Sequence, residues 1–194
     1  MGSRIVIIQG HPDKDPGRYC RALADAYAEG AKAAGHSVTR VDLADLHFPL
    51  LGSQDEFMHG AVPKALEPAR KAISEARHVV LVFPLWLGTM PALVKAFLEQ
   101  VMRPGVAFSY REKGLPEMLM KGRSARIVVT MGMPAVFYRW WYLSHGVRGL
   151  ERNILRFVGM KPVRTTLIGM VESLSDAKRR KWLDRMRALG REAA

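Results

Sequence analysis

Five short runs of aliphatic and β-branched residues recur along the chain, and longer stretches with helical periodicity separate them. The runs are typical of strands buried on both faces of a sheet. They span Arg4–Gln9, Ser37–Asp42, His78–Pro84, Arg126–Met131 and Val163–Gly169. Short strands that alternate with helices imply successive βαβ units, and therefore a parallel sheet covered on both faces. The alternation predicts a three-layer α/β sandwich with five strands.

The stretches between the strands carry apolar residues at the spacing of one helix face. We predict helices over Arg18–Ala34, Pro91–Met102, Ala135–Val158 with an interruption near Ser144–Gly146, and Ser175–Leu189. Two long stretches, Ala44–Val62 and Arg103–Ser124, read as irregular, and loops of this length tend to be functional. We expect one domain spanning residues 1–194.

The chain is strongly basic: 30 Lys and Arg against 18 Asp and Glu give a net charge of +12. Such a charge favours anionic partners. However, the basic residues are spread along the chain and no nucleic-acid-reading motif is present, so we expect no nucleic acid binding. The densest cluster lies in the last predicted helix beside Trp182, which allows peripheral contact with an anionic membrane.

Three features missing from the sequence exclude further classes of protein. The single cysteine, Cys20, excludes an internal disulfide framework and a multi-cysteine zinc site, and no metal site is predicted. No apolar run reaches the roughly 18 residues that a membrane-spanning helix needs. The first strand follows the start of the chain directly and leaves no room for a secretory signal. We therefore expect a cytoplasmic location.

Ligands of open parallel sheets bind beyond the carboxyl ends of the strands, and three segments lie there. In the first, His11 and Arg18 precede a helix whose N-terminus could hold a phosphate; alternatively, His11 caps a turn and Arg18 faces solvent. Neither a Walker loop nor a Gly-x-Gly-x-x-Gly motif occurs, which disfavours an NTPase and a dinucleotide Rossmann site.

The second and third segments suit a flat ligand. Pro84 and Pro91 stiffen the loop after the third strand, so its backbone groups would meet a ligand in fixed positions; a hydrophobic turn is the alternative. Gly132 permits close backbone approach after the fourth strand. The five aromatic residues within Phe137–Tyr142 could stack on a ring, form a subunit interface or enter a membrane surface. Because they exceed what a small core absorbs, we favour an interface in part.

Together these segments resemble the quinone-reductase branch of the flavodoxin-like superfamily, which includes the NAD(P)H:quinone oxidoreductases, the potassium-efflux ancillary reductases and the modulators of drug activity. The resemblance is carried by His11-Pro12-Asp13, by Phe83-Pro84-Leu85-Trp86 with Pro91-Ala92-Leu93-Val94-Lys95, and by Gly105–Tyr110. It implies a flavodoxin-like sheet of order 2-1-3-4-5 and usually a homodimer.

The resemblance also implies an activity: two-electron, ping-pong hydride transfer from NAD(P)H through a flavin to a quinone or similar small-molecule acceptor. FMN is the expected cofactor, with FAD as the alternative. A second possibility within the same resemblance is a flavin-binding regulatory subunit of a membrane transporter with little turnover.

Site residues follow from the same resemblance. The flavin would be held by His11, Gly17, Arg18, Tyr19, Cys20, Pro84, Leu85, Trp86, Leu87, Thr130, Met131, Gly132 and Met133. Phe108 and Tyr110 would contact the substrate from the other subunit. Tyr138 and His145 would act as catalytic donors to the substrate or the reduced flavin, with Tyr138 also binding substrate.

Overall fold

The computed structural model of the protein describes residues 2–193, and its centre is a parallel sheet of five strands. These strands are β1 (Arg4–Gln9), β2 (Ser37–Asp42), β3 (His78–Pro84), β6 (Ser124–Thr130) and β7 (Val163–Ile168). Along the chain, β3 and β6 are separated by two short strands, β4 (Phe108–Ser109) and β5 (Glu117–Met118), which form a separate antiparallel pair. The sheet order β2-β1-β3-β6-β7 is the predicted order 2-1-3-4-5 once the small pair is left out, so the predicted fold class is confirmed.

Helices cover both faces of the sheet. They are α1 (Tyr19–Ala33), α2 (Gln54–His59), α3 (Glu67–Glu75), α4 (Ala92–Val101), α5 (Ala135–Trp140), α6 (His145–Gly149) and α7 (Asp176–Glu192), with single 3₁₀ turns at Leu43–Asp45 and Lys64–Leu66 and a π-helical turn at Leu150–Arg156. The helix α3 is absent from our prediction, although Pro68 in its first turn is a usual start signal. The irregular stretches Ala44–Val62 and Arg103–Ser124 also contain short elements.

The long predicted helix over Ala135–Val158 is divided into three pieces. Leu143 and Ser144 have φ values of 50° and 52°, a left-handed conformation that ends the run of helical hydrogen bonds. The Ser144 amide donates to the Tyr138 carbonyl, and the next helix begins at His145. An interruption was predicted near Ser144–Gly146; in the structure it lies slightly earlier, at residues 141–144, and separates α5 from α6.

Side chains of alternate strand residues fill two cores. In β1, Val6 and Ile8 pack with α3 and α4, whereas Ile5 and Ile7 pack with α1 and α7. The inner strands β1 and β3 are covered on both faces and are almost uniformly apolar, whereas the edge strands β2 and β7 mix polar and apolar residues and are only partly buried.

The C-terminal helix α7 lies directly against α1. A Cβ atom added at Gly30 would lie 2.0 Å from the Arg187 carbonyl oxygen, so the two backbones touch there. Trp182 is half-buried and packs against the same core. The membrane contact considered above for this helix stays a prediction. None of the helices within residues 2–193 combines the length and the apolar composition that crossing a bilayer requires.

Candidate active site

Two clefts adjoin at the carboxyl end of the sheet and share Leu85, Met131 and Gly132. The first, here called the His11 cleft, has a volume of about 430 Å³ and is also lined by His11, Asp13, Arg18, Tyr19, Cys20, Pro84, Trp86, Thr130, Val171 and Glu172. The second, the Tyr142 cleft, has about 640 Å³ and is also lined by Leu87, Gly88, Thr89, Met133, Tyr138, Tyr142, His145 and Gly146. The fold thus brings all three sequence segments to one edge.

The N-terminus of α1 opens into the His11 cleft. No side chain caps this helix and its first turn contains no acidic residue. The first amides of a helix have no intrahelical partner, and the helix dipole places partial positive charge there. The backbone N–H groups of Tyr19 and Cys20 are therefore suited to an anionic group.

The loop before α1 is fixed by its own side chains. The Nδ1 atom of His11 accepts from the Asp13 amide at 3.1 Å. Carboxylate oxygens of Asp13 and Asp15 accept from the amides of Asp15 and Gly17, at 2.9 and 2.8 Å. The Gly17 N–H therefore already has an acceptor, the Asp15 carboxylate, and is not free to bind a ligand. Because Nδ1 of His11 is an acceptor, the neutral ring carries its proton on Nε2 and can donate there.

Burial, followed by the nearby Arg18 guanidinium, lowers the pKa of His11, which keeps the ring neutral at physiological pH. Arg18 itself pairs with Asp13 and lies 3.6 Å from an Asp15 oxygen. The pKa of Asp13 is lowered by the hydrogen bond from the Asp15 amide and by Arg18. An anion in this cleft would therefore compete with two carboxylates for Arg18.

Cys20 lies beneath the helix start. Its Sγ is 3.1 Å from the Thr130 hydroxyl oxygen, and burial raises the pKa of the thiol to about 11. The thiol is therefore protonated at neutral pH and has little nucleophilic character. The contact ties α1 to β6, and it engages the hydroxyl of Thr130, one of the predicted flavin contacts.

A tight turn at Trp86–Thr89 forms one wall between the clefts. Leu87 and Gly88 have φ values of 47° and 78°. The amides of Leu85 and Trp86 donate to the carbonyls of Thr130 and Thr89, and Pro84 has no N–H. Within residues 2–193, the amides of this turn that remain for a ligand are those of Leu87 and Gly88. Trp86 bounds the His11 cleft, with its ring edge-on to His11 at 5.9 Å.

The opposite wall comes from the turn after β6. The Met131 amide donates to the Ile168 carbonyl, and the Met133 carbonyl accepts from Met170. The amides of Gly132 and Met133 donate to no residue of the described range, so both are available to a ligand. Both turns therefore contain amides without a partner in the described residues, and the residues that carry them line the same cleft.

Tyr138 is placed differently from our prediction. Its side chain is 1% exposed, and its hydroxyl donates to the Gly88 carbonyl at 2.9 Å while accepting from the Val147 amide at 3.3 Å. The phenolic proton is thus donated within the protein, and the catalytic role expected for Tyr138 stays a prediction. Burial raises its pKa further above the physiological range.

Tyr142, which sequence reasoning missed, exposes 45% of its side chain in the same cleft. It lies four residues after Tyr138, and their ring centroids are 6.3 Å apart. His145 is also exposed and lines the cleft. The i, i+4 spacing was the available signal, but it does not tell which of the two phenols is free.

Phe108 and Tyr110 lie elsewhere. They line a separate cavity of about 250 Å³, and Phe108 is 4% exposed with its ring 4.9 Å from that of Phe157. In the same chain neither residue reaches the two clefts. Their contact with a substrate across a dimer stays a prediction, and only Tyr110 exposes enough side chain to make it.

Comparison with known proteins agrees with this architecture. A family model described as "Flavodoxin-like fold" matches residues 3–189. The chain therefore belongs to this flavodoxin-like family, as the sequence resemblance implied.

Individual relatives are more distant. An uncharacterized NAD(P)H oxidoreductase of Haemophilus influenzae is 24% identical over 183 residues, which cover 92% of this chain and 90% of that protein. The FMN-dependent NADH:quinone oxidoreductase 3 of Pseudomonas aeruginosa is 29% identical over 175 residues, 83% of this chain and 79% of that protein. The structure of the NAD(P)H:quinone oxidoreductase from Methanothermobacter marburgensis superposes with a TM-score of 0.81 at 23% identity, covering 99% and 97% of the two chains.

Proposed function

We propose that this protein is an FMN-dependent NAD(P)H:quinone-type oxidoreductase. The observation that carries the proposal is the pair of adjoining clefts: one is lined by an uncapped helix N-terminus, and the other by two turns whose backbone includes amides without a partner in the described residues. This arrangement suits a molecule with a phosphate at one end and a flat polar ring at the other. The relatives named as NAD(P)H or FMN-dependent oxidoreductases support the same assignment.

The residues around the His11 cleft fit the phosphate end. The amides of Tyr19 and Cys20 and the Nε2–H of His11 supply donors, and Arg18 supplies a positive charge at the rim. The amides of Leu87, Gly88, Gly132 and Met133 would hold the polar edge of the ring. Donors placed there stabilise the negative charge that develops on reduction. When bound, FMN would supply the redox chemistry, the two-electron exchange between NAD(P)H and the acceptor.

The remaining groups of the Tyr142 cleft serve the acceptor. A quinone gains two protons as well as two electrons, so its carbonyl oxygens need donors. Tyr142 and His145 are the exposed proton-carrying side chains that line this cleft. The two hydrogen bonds of the Tyr138 hydroxyl connect the Trp86–Thr89 turn to α6 and so fix the distance between these two walls of the cleft.

We further propose a cytoplasmic homodimer. Next to the Tyr142 cleft lies an apolar groove of about 710 Å³ whose lining includes Met90, Pro91, Ala92, Leu150 and Ile154. A groove of this kind beside the site is suited to covering by a second subunit.

The assignment is tested by purifying the protein and identifying any flavin released on denaturation by mass spectrometry. We expect FMN, a flavin absorbance that NADPH or NADH bleaches, and its recovery when a quinone is added. If the released flavin is FAD, the cofactor assignment changes from FMN to FAD and the proposed reaction class stays the same. A colourless protein that binds neither flavin when it is supplied would contradict the proposal, and bound flavin without turnover would favour a regulatory subunit.

A further inference from the structure

The run from Val136 to Leu143, here called the aromatic segment, exposes nearly all of its apolar side chains. Trp140 and Trp141 are 73% and 74% exposed, and Val136, Phe137, Tyr142 and Leu143 are exposed as well. Phe137 and Trp141 stack with ring centroids 6.0 Å apart and planes 8° from parallel. The rings therefore form an ordered apolar surface, and surfaces of this kind mark sites of interaction.

The aromatic segment borders the mouth of the Tyr142 cleft. Tyr142 belongs to both, and Leu87, which lines the same cleft, is fully exposed. Leu87, Leu143 and Ser144 all have positive φ values between 47° and 52°. Non-glycine residues held in this conformation are strained, and such strain clusters at functional sites. The cleft thus opens through an apolar rim that the fold maintains at a cost.

Charge around the rim identifies what covers it. Positions 133–150 contain Arg139, His145 and Arg148 but no Asp or Glu. Arg139 and Arg148 are exposed, and neither forms an ion pair with another residue of the described range 2–193. Two copies meeting through this surface would bring like charges together without a carboxylate of the segment to offset them. Anionic lipid headgroups would offset them.

The residue types point the same way. Trp and Tyr concentrate at membrane–water interfaces because their rings are apolar on one side and carry a hydrogen-bonding group on the other. Arginine beside them adds attraction to anionic lipids. We infer that the aromatic segment docks on an anionic bilayer surface, with the mouth of the Tyr142 cleft facing the lipid.

This inference rests on the proposed function for its purpose: a quinone with an apolar tail dissolves in the bilayer and would enter the cleft from there. Lipid binding itself does not require turnover. Binding and catalysis can therefore be measured separately, and one can fail without the other.

The test is co-sedimentation of the full-length, flavin-loaded protein with vesicles of phosphatidylcholine alone or mixed with phosphatidylglycerol. The variant W140A/W141A removes the central rings. The matched control L50A/L115A removes exposed apolar side chains of similar exposure away from the cleft. A third variant, R139Q/R148Q, removes only charge. Circular dichroism, which does not depend on flavin, checks that each variant is folded.

We expect the protein to bind mixed vesicles more tightly than neutral ones. W140A/W141A should weaken binding by at least about tenfold, and L50A/L115A should bind as the unchanged protein does. Each arginine removed should cost roughly fivefold on mixed vesicles. Failure of the unchanged protein to bind, or equal binding by W140A/W141A, overturns the inference. It is equally overturned if W140A/W141A changes the dimer's mass in solution while no variant binds lipid, because the surface then belongs to a second copy.

If vesicle binding follows this pattern but no flavin is reduced by NAD(P)H, the docking surface stands and the proposed function fails. If flavin chemistry is normal and vesicle binding is absent, the function stands and the docking surface fails. With both in place, W140A/W141A should reduce turnover of a long-tailed quinone in mixed vesicles while leaving turnover of a water-soluble quinone unchanged.

Discussion

The Tyr138 hydroxyl donates to the Gly88 carbonyl oxygen at 2.9 Å and joins helix α5 to a turn that lies 50 positions away in the chain. The same oxygen atom of Tyr138 accepts from the Val147 amide. One buried phenol therefore connects the Trp86–Thr89 turn, the end of α5 and the start of α6. These are the elements that surround the Tyr142 cleft.

We expect Tyr138→Phe to weaken both the fold and flavin binding. Removal of the hydroxyl leaves the buried Val147 N–H without its partner, which costs about 1–3 kcal/mol in free energy of unfolding. The released turn should also raise the dissociation constant of FMN. Denaturant unfolding and fluorescence titration with FMN measure the two effects. Unchanged values in both would mean that the hydrogen bond contributes nothing to the cleft.

A pair of glycines offers a sharper test of how closely the walls approach. A Cβ atom at Gly146 would lie 2.2 Å from the Gly88 carbonyl oxygen, whereas one at Gly149 meets nothing within 4 Å. We expect Gly146→Ala to force the walls apart, lowering stability and FMN affinity. Gly149→Ala, in the same helix, should be neutral or stabilise the protein by about 0.5–1 kcal/mol. Equal behaviour of the two variants would refute this account of the packing.

The strands, and the meeting of the three segments at one edge of the sheet, could be predicted because they depend on local pattern. Buried parallel strands are continuous apolar runs, and the turns that follow them must share one sheet edge. The helix α3 escaped prediction because its exposed face is polar and its apolar positions are few, with Ala69 and Ile73 the buried ones.

The roles of Tyr138 and Tyr142 could not be separated in this way. Which phenol is free depends on where the Gly88 carbonyl lies, and that is set by tertiary contacts between distant segments. The same reason applies to the loop amides. The amides of Leu85 and Trp86 donate to the carbonyls of Thr130 and Thr89, and no spacing in the sequence reveals these hydrogen bonds.

The carboxylates beside the His11 cleft lead to a prediction about phosphate affinity. Asp13 and Asp15 hold Arg18 and place negative charge near the helix start. In D13N/D15N the amide oxygens can still accept from the Asp15-position and Gly17 amides, so the loop is retained while its charge is removed. We expect FMN to bind about two- to fivefold more tightly.

Riboflavin, which lacks the phosphate, is the internal control for D13N/D15N and should bind with unchanged affinity. The ratio of the two dissociation constants isolates the phosphate contribution. Equal gains for FMN and riboflavin would place the effect in the ring cleft, and no gain for either would show that Arg18 is not released toward the ligand.

At the opposite end of the sheet, His78 is buried between the Tyr27 hydroxyl at 2.9 Å and the Ser124 hydroxyl at 2.7 Å. Burial, followed by the Arg126, Arg164 and His36 charges, lowers the pKa of His78 to about 4. The folded protein thus disfavours the protonated ring, which the unfolded chain accepts below its ordinary pKa of about 6.5. Stability is present above that pH and is lost as pH falls toward 4, by roughly 3 kcal/mol at most.

Urea unfolding as a function of pH measures this loss. His78→Gln should flatten the decline between pH 6.5 and about 4, whatever its effect on stability at neutral pH. His47→Gln, which changes an exposed histidine, should leave the slope as it is. A slope that His78→Gln does not alter would assign the acid sensitivity to other groups.

The last prediction concerns Tyr142, whose side chain is exposed in the cleft, whereas the Tyr138 hydroxyl is bonded within the protein. If Tyr142 donates to the acceptor, Tyr142→Phe should slow reoxidation of the reduced enzyme by a quinone by about tenfold, the effect of one lost hydrogen bond to a charged oxygen. Its hydroxyl is not part of the clamp that Tyr138 forms, so stability and FMN affinity should stay unchanged. Stopped-flow absorbance separates reoxidation from reduction by NAD(P)H. Normal reoxidation in Tyr142→Phe, together with slow reoxidation in a Tyr138→Phe variant that retains FMN, would return the donor role to the buried phenol.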